Sequence, residues 1–415
     1  MLDIAITGVG VVSSIGNGLG EFSQALDRGT TKISRPPWPA RPEFEGVWVS
    51  NIEGFRPTDW MADKVAEGTD RFGQYLIAAA VQAIQGADLK TPPDPYRTAV
   101  ITGTALGAVD TISSSQHGLD SKGPAGISPK FHIRAWPNMG SAQIALRYGL
   151  HGPLMTVATA CASSLDAIGL AARLITSGQA DTAIAGGADA SMTELRVLSG
   201  ARYGMFKPVS DPAHACRPVD KNRTGVVLGE GAGVVFLERR DAAVQRGATI
   251  YGIIRGYASL SDAHHVSSPG PEGLWQAQTI HQAVSEAGLK NGARSIDAVM
   301  AHATGTPVGD MAEIRAINLA FGEHAKNLRA ASIKGHVGHP AGAAGAMTLI
   351  AGLASMQIAK LIPTAGAKNI DPEAQFRVPT LESGDASGRG KIGAMVVNAF
   401  GFGGQNASVV VAAPQ

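Results

Sequence analysis

Short apolar runs rich in β-branched residues alternate along the chain with longer stretches whose apolar positions recur every three or four residues. "LDIAITGVG", "YRTAVITGT", "LMTVATA", "DTAIAGGA" and "GAGVVFLE" read as buried strands, while "DRFGQYLIAAAVQAIQGA" and "SSLDAIGLAARLITSG" read as helices. After "RRDAAVQRGA" the alternation restarts with "TIYGIIRGYASL", "WQAQTIHQAVSEAGL", "IDAVMAHATG", "LRAASIKG" and "AMVVNAFGFGGQNASVVVAA". This predicts an α/β chain with largely parallel, buried sheets. The halves echo each other: "LMTVATAC" leads into "ASSLDAIGLAARLITSG", and "LRAASIKGHVGH" into "PAGAAGAMTLIAGLASMQ". Each is a strand, a turn bearing a reactive side chain, then a small-residue helix. The echo predicts an internal duplication with units 1–248 and 249–415. Segments 36–60 and 118–140, which contain Pro and Trp, read as irregular insertions on that unit.

Composition narrows the picture. With 415 residues, 44% of them hydrophobic, the chain can bury two ordinary cores or one large duplicated one. A net charge of +1 without a Lys/Arg-rich cluster gives no electrostatic basis for nucleic acid or an anionic membrane as partner. Every apolar run is broken before membrane-spanning length, and the N-terminus lacks the basic region of a signal peptide. The two cysteines, Cys161 and Cys216, cannot build a disulfide framework, and no zinc-type Cys/His spacing is present. A cytoplasmic protein with reduced thiols and no metal is expected.

Candidate chemistry starts with what fails. "GVGVVSSIG" gives G-x-G-x-x-S, lacking the third glycine, and no acidic residue follows at the distance a dinucleotide fold requires. That turn is expected to be structural. Cys161 is different: its flanks place it at a strand-to-helix corner, where helix N–H groups and dipole are expected to lower the thiol pKa. Cys216, in "HACRPVDKNRTG", reads as buried and inert. His302, in "MAHATGTPVGD", and His339, in "SIKGHVGHPAGAAGA", stand at turns after strands. Together the three form a nucleophile-and-donor set, with His339 expected to be neutral through a helix N-terminus.

At these residues the chain resembles the elongating β-ketoacyl-acyl-carrier-protein synthases of the thiolase fold. The matching segments are "TACASS", "RPVDKNRTGVVLGEGAGVVFLE", "AHATGTPVGD", "SIKGHVGHPAGAAGA" and "NAFGFGGQNAS", in the family's order and spacing. The resemblance implies a five-layered α-β-α-β-α arrangement of two duplicated halves. It implies that Cys161 accepts an acyl chain from a carrier-protein thioester. His302 and His339 would assist decarboxylation of malonyl-carrier protein and steady the enolate for a Claisen condensation in fatty acid or polyketide elongation. Phe402 matches the position whose backbone N–H completes an oxyanion hole with that of Cys161, with its ring as a gate beside Phe400. Thr304 and Thr306 match the threonines that bind the phosphopantetheine arm, which arrives on the carrier, so no resident cofactor is implied. Lys334 matches the lysine supporting the histidines, with Asp310 and Glu313 as electrostatic neighbours.

The sequence departs from the family where a glutamate is usual and Thr348 stands, which leaves Glu313 as the candidate partner of Lys334. Carrier docking, with Lys64, Arg71, Lys130, Arg134, Arg202 and Lys207 as candidates, is thinly basic and suggests a specialised carrier. The partners implied are an acyl carrier protein and a second subunit, either the same chain or a related ketosynthase-like one. Three rivals are weighed. A thiolase would carry a second cysteine near "GFGGQNAS", an initiating synthase would carry Cys, His and Asn, and a non-catalytic chain-length-factor-like subunit would lack the nucleophile.

Overall fold

The computed structural model describes residues 2–383 and 388–414. The first half contributes β1 (Ile4–Ser13), β2 (Thr98–Gly103), β3 (Leu154–Val157), β4 (Thr182–Asp189) and β5 (Gly231–Arg239). The second contributes β6 (Gly252–Ser261), β7 (Ala298–Met300), β8 (Arg329–Ala331), β9 (Ala394–Gly401) and β10 (Gln405–Ala412). Spatial order is the same in both: β3-β2-β4-β5-β1 and β8-β7-β9-β10-β6. So are the directions. Each second strand lies parallel to the third and fourth, and the remaining neighbours are antiparallel.

This corrects the expectation of largely parallel sheets. The chain passes from β9 to β10 through residues 402–404 alone, and so short a link can only return antiparallel. Gly403 and Gly404 take left-handed φ values of 83° and 73° to make it. The half-sheets also meet edge to edge, where Ile4, Ala5 and Ile6 pair with Ile254, Ile253 and Gly252, so one ladder runs through both.

The main helices are α1 (Arg71–Gly86), α2 (Ser163–Thr176), α3 (Glu194–Tyr203), α4 (Leu274–Ala287), α5 (Pro307–Phe321) and α6 (Ala344–Gln357). α2 and α6 pack against each other between the half-sheets; α1 covers the outer face of one half, and α4 with α5 that of the other. The result is the α-β-α-β-α order of the thiolase-like fold. Its central layer explains the composition of α6, which is buried without interruption from Ala344 to Ser355 and has no polar face. The "GVG" of β1 is explained too. A Cβ on Gly8 would lie 1.9 Å from Ala83 O, and one on Gly10 1.9 Å from Ala79 O, so the glycines let β1 sit directly on α1.

The insertions are more ordered than expected. Segment 118–140 completes a helix, Val109–Lys122, and adds a short one at Phe131–Ala135; "GPAG" separates them as a 3₁₀ turn. Segment 36–60 holds two 3₁₀ turns and a two-residue strand, Val49–Ser50, paired with Leu228–Gly229. No helix among the described residues is long and apolar enough to cross a membrane.

Candidate active site

Cys161 lies in a 3₁₀ turn, Ala160–Ala162, leading into α2. Ala160 has φ 50°, a left-handed conformation uncommon outside glycine and typical of strained functional turns. The second half repeats the device: Ala341 has φ 43° and opens the 3₁₀ turn Ala341–Ala343 before α6. The position corresponding to Cys161 is then Gly342. A Cβ there would lie 2.5 Å from Ala105 N and from Asp189 Oδ2, and the Gly342 N–H donates to that same oxygen at 2.6 Å.

The histidines converge on the sulfur. His339 Nε2 is 3.0 Å from Cys161 Sγ, and the His302 and His339 rings stand edge to face with centroids 5.2 Å apart. Each Nδ1 is buried without a partner among the described residues. Two carboxylates fix the loop carrying His302. Glu313, on α5, accepts from His302 N at 2.9 Å, Ala303 N at 2.7 Å and Asn398 Nδ2 at 3.1 Å. Asp310 accepts from Val219 N, Thr304 N and Gly305 N. His339 is pinned by its own N–H, which donates to Val227 O at 2.7 Å.

Electrostatics correct three expectations. Burial pushes the Cys161 thiol up to about 11, against the opposing pull of Arg196, Lys334 and the Phe402 N–H that donates to it. Desolvation outweighs the neighbouring cations and the Phe402 N–H, which favours the thiol over a resting thiolate. Both imidazoles are held well below their ordinary value, by burial first and then by the Lys334 charge. His339 is neutral as expected, but for that reason rather than through a helix N-terminus. Finally, Lys334 Nζ donates to Thr348 Oγ1 at 3.3 Å, whereas the Glu313 and Asp310 oxygens take backbone N–H groups. Glu313 acts on Lys334 as a nearby charge only. Burial lowers the Lys334 pKa, and Glu313 opposes that shift.

Cys161, His302, His339, Asp310 and Glu313 line a cavity of about 610 Å³ that also exposes Thr304, Thr306, Phe400 and Phe402. The hydroxyls of Thr304 and Thr306 are 3.0 Å apart. Phe400 is buried against the His302 ring, while the Phe402 ring is 47% exposed and leans toward Tyr203. Gly401 is what lets β9 approach Cys161: a Cβ there would lie 2.9 Å from Cys161 N. Cys216 is buried, and its thiol donates to Lys334 O at 3.3 Å. The sulfur and imidazole ligand atoms of Cys161, His302 and His339 lie within 4.8 Å of one another, wider at its limit than the ~3.5 Å between ligands of tetrahedral zinc.

The basic candidates for carrier docking divide. Lys64, Arg202 and Lys207 are exposed, Lys130 pairs with Glu67, and Arg71, also exposed, hydrogen-bonds Tyr75 Oη and Ile52 O. Sequence reasoning missed Arg196, Ser199 and Tyr203, which line the cavity from α3, and Asp189, which joins the turn at Ala105 to Gly342. The spacing of Arg196, Ser199 and Tyr203 at i, i+3 and i+7 was the available signal.

Residues 1–243 match the family model described as the beta-ketoacyl synthase N-terminal domain, and residues 251–368 match that of the C-terminal domain. A Staphylococcus aureus (strain COL) protein named 3-oxoacyl-[acyl-carrier-protein] synthase 2 is 33% identical over 408 residues, covering 98% of this chain and 97% of its own. A protein of the same name from Synechocystis sp. is 34% identical over 415 residues, with coverage of 98% and 97%. Among solved structures, the ishigamide ketosynthase/chain length factor superposes with a TM-score of 0.90 at 29% identity, covering both chains fully. A type II PKS acyl-carrier protein in complex with its ketosynthase bound to the hexaketide gives 0.88 at 25% identity, again with full coverage.

Proposed function

The chain belongs to the β-ketoacyl synthase family, and from that premise we propose that Cys161, His302 and His339 carry its condensation. The enzyme is a ketosynthase acyltransferase acting in fatty acid or type II polyketide chain elongation. In our reading the Cys161 sulfur attacks the thioester of an acylated carrier protein. The carrier's C–S bond breaks, the acyl–Cys161 thioester forms, and the thiol proton passes by way of His339 Nε2 to the departing carrier thiol. The oxyanion of this step accepts from the N–H groups of Cys161 and Phe402.

Malonyl-carrier protein then loses CO2. Its carboxylate C–C bond breaks, the electron pair remains as an enolate, and the enolate oxygen accepts N–H donation from His302 and His339. Two neutral imidazoles serve because each can donate from one nitrogen without a competing charge. The carbanion attacks the acyl carbonyl: a C–C bond forms, the C–S bond to Cys161 breaks, and the thiolate takes up one proton. Lys334, Glu313 and Asp310 are positioning residues, and Thr304 and Thr306 hydrogen-bond the phosphopantetheine arm that the carrier brings. Phe402 gates the cavity beside Phe400.

The single observation behind this reading is the 3.0 Å contact of Cys161 Sγ with His339 Nε2, with His302 alongside. Intact-protein mass after incubation with acylated carrier proteins tests it. An acyl-sized gain in the wild type that is absent in Cys161→Ala is expected; a gain persisting in the variant would remove Cys161 from its role.

We also assign an acyl carrier protein and a second subunit as partners, with the reaction in the cytoplasm. The subunit reading rests on the open edge of β3, where Leu154 and Met155 are 45% and 46% exposed. Sedimentation of wild type against Met155→Asp checks it, and a monomeric wild type that still condenses would defeat it.

A further inference from the structure

One wall of the cavity is not built for an alkyl chain. Helix α3 presents Arg196, Ser199 and Tyr203 to it, and Arg196 stands within electrostatic reach of the Cys161 sulfur. The Arg196 Nη1 is buried and has no hydrogen-bond partner among the described residues. No carboxylate is free to take it at contact distance. Asp189 accepts from Thr104 Oγ1 and Leu106 N on one oxygen, and from Ala105 N and Gly342 N on the other. Glu230 uses Oε1 for Ile52 N, and its Oε2 is itself unpartnered rather than bonded to Arg196.

A guanidinium whose Nη1 is buried and idle is costly beside a saturated acyl chain, which would strip water from the cavity and offer no acceptor in return. The same donor becomes an asset if the acyl chain carries an oxygen acceptor. We propose that Arg196 selects oxygenated acyl chains, its Nη1 donating to a carbonyl-type oxygen, ketone or carboxylate, a few bonds beyond the thioester held on Cys161. This rests on the reading of Cys161 as the acyl carrier, and it names the substrate class for that site. Arg196 acts on binding and specificity; no bond is made or broken at it. A ketone oxygen suits a single N–H donor. A carboxylate can engage the fork of the guanidinium in two parallel bonds, so the two sources predict different rankings.

Three four-carbon donors separate them: carrier protein bearing butyryl, 3-oxobutyryl or 3-carboxypropionyl groups. The rate of acyl transfer to Cys161 in the full-length enzyme, read by intact mass, gives kcat/KM for each. The wild type is expected to favour at least one oxygenated donor over butyryl by about tenfold or more, the scale set by leaving a buried donor unpaired. The donor that leads identifies ketone or carboxylate as the source. Arg196→Met is expected to collapse that ratio, Arg196→Lys to restore part of it, and Arg196→Gln keeps the experiment open if the Met variant does not fold.

Equal loading of all three donors by the wild type, or a butyryl preference, overturns the proposal while leaving Cys161 as nucleophile. A uniform loss across donors in Arg196→Met, or a rise in KM for malonyl-carrier protein with every acyl group, also overturns it by assigning the residue to structure or to the extender carboxylate. No loading from any donor overturns the parent reading and this one together.

Discussion

At Cys161 two influences oppose each other, and burial outweighs the neighbouring donors and cations. With the thiol pushed up to about 11, the neutral thiol predominates at pH 8. Alkylation of Cys161 by iodoacetamide is therefore expected to climb about tenfold per pH unit between pH 7 and 10. Mass spectrometry of the labelled site reads this directly, and a plateau near neutrality would mean a preformed thiolate. Lys334 poses the complementary problem, a buried cation whose hydrogen-bond partner is the hydroxyl of Thr348. Its folded pKa lies below its unfolded one, so the unfolded chain holds the extra proton as pH rises between them and stability increases across that window. Thr348→Glu supplies an opposite charge and should move the Lys334 pKa upward. The alkaline limb of kcat/KM for malonyl decarboxylation is then expected to shift to higher pH, with thermal unfolding followed alongside because the added bulk enters a fully buried position. An unmoved limb in a folded variant would show that Lys334 does not titrate in the mechanism.

At the scale of elements, the two strained turns explain how one architecture presents a cysteine in one half and a bracing point in the other. Ala160 and Ala341 both adopt positive φ before fourteen-residue helices, α2 and α6. The first turn presents Cys161. The second presents Gly342, whose N–H is tied to Asp189 at the end of β4. Asp189 also takes N–H groups from Ala105 and Leu106, so one carboxylate fixes the turns of both halves around the site. Asp189→Ala leaves these buried donors unpaired and is expected to cost about 3 kcal/mol or more in urea unfolding, with acyl loading falling as the turns loosen. A loss below about 1 kcal/mol would show that the turns hold themselves. This bracing was not legible in the sequence, because it joins residues 153 positions apart. What was legible followed from local pattern: the strand–turn–helix echo, and a structural role for "GVG", although those glycines lie within β1 rather than at a turn. The antiparallel strands were missed because apolar runs of "GAGVVFLE" type carry no direction. The Lys334 partner was missed because Glu313 is close in space yet committed to the backbone of His302 and Ala303.

For the whole molecule, duplication and cooperativity pull in different directions. We propose 1–248 and 249–415 as the units of duplication; their outermost residues, 1 and 415, lie outside the described residues. The division falls between the helix Arg240–Gln245 and β6, in a connection whose residues are exposed or partly buried, none of them fully buried. Matching strand order supports the pair. Yet one large core spans both units. Leu165, Ile168 and Ala172 of α2 share one buried cluster with Met347, Ile350 and Ala351 of α6, and Val235 and Leu237 of β5 belong to it as well. Removing the second unit would bare that face and break the pairing of β1 with β6. Residues 1–248 expressed alone are therefore expected to lack a cooperative thermal transition by calorimetry. Co-expressed with 249–415, they should recover the transition and the acyl loading of Cys161, because the cut then interrupts only that connection. A sharp transition in 1–248 alone would make the first unit an independent domain, and failure of the two pieces to reassemble would move the boundary of duplication away from 248.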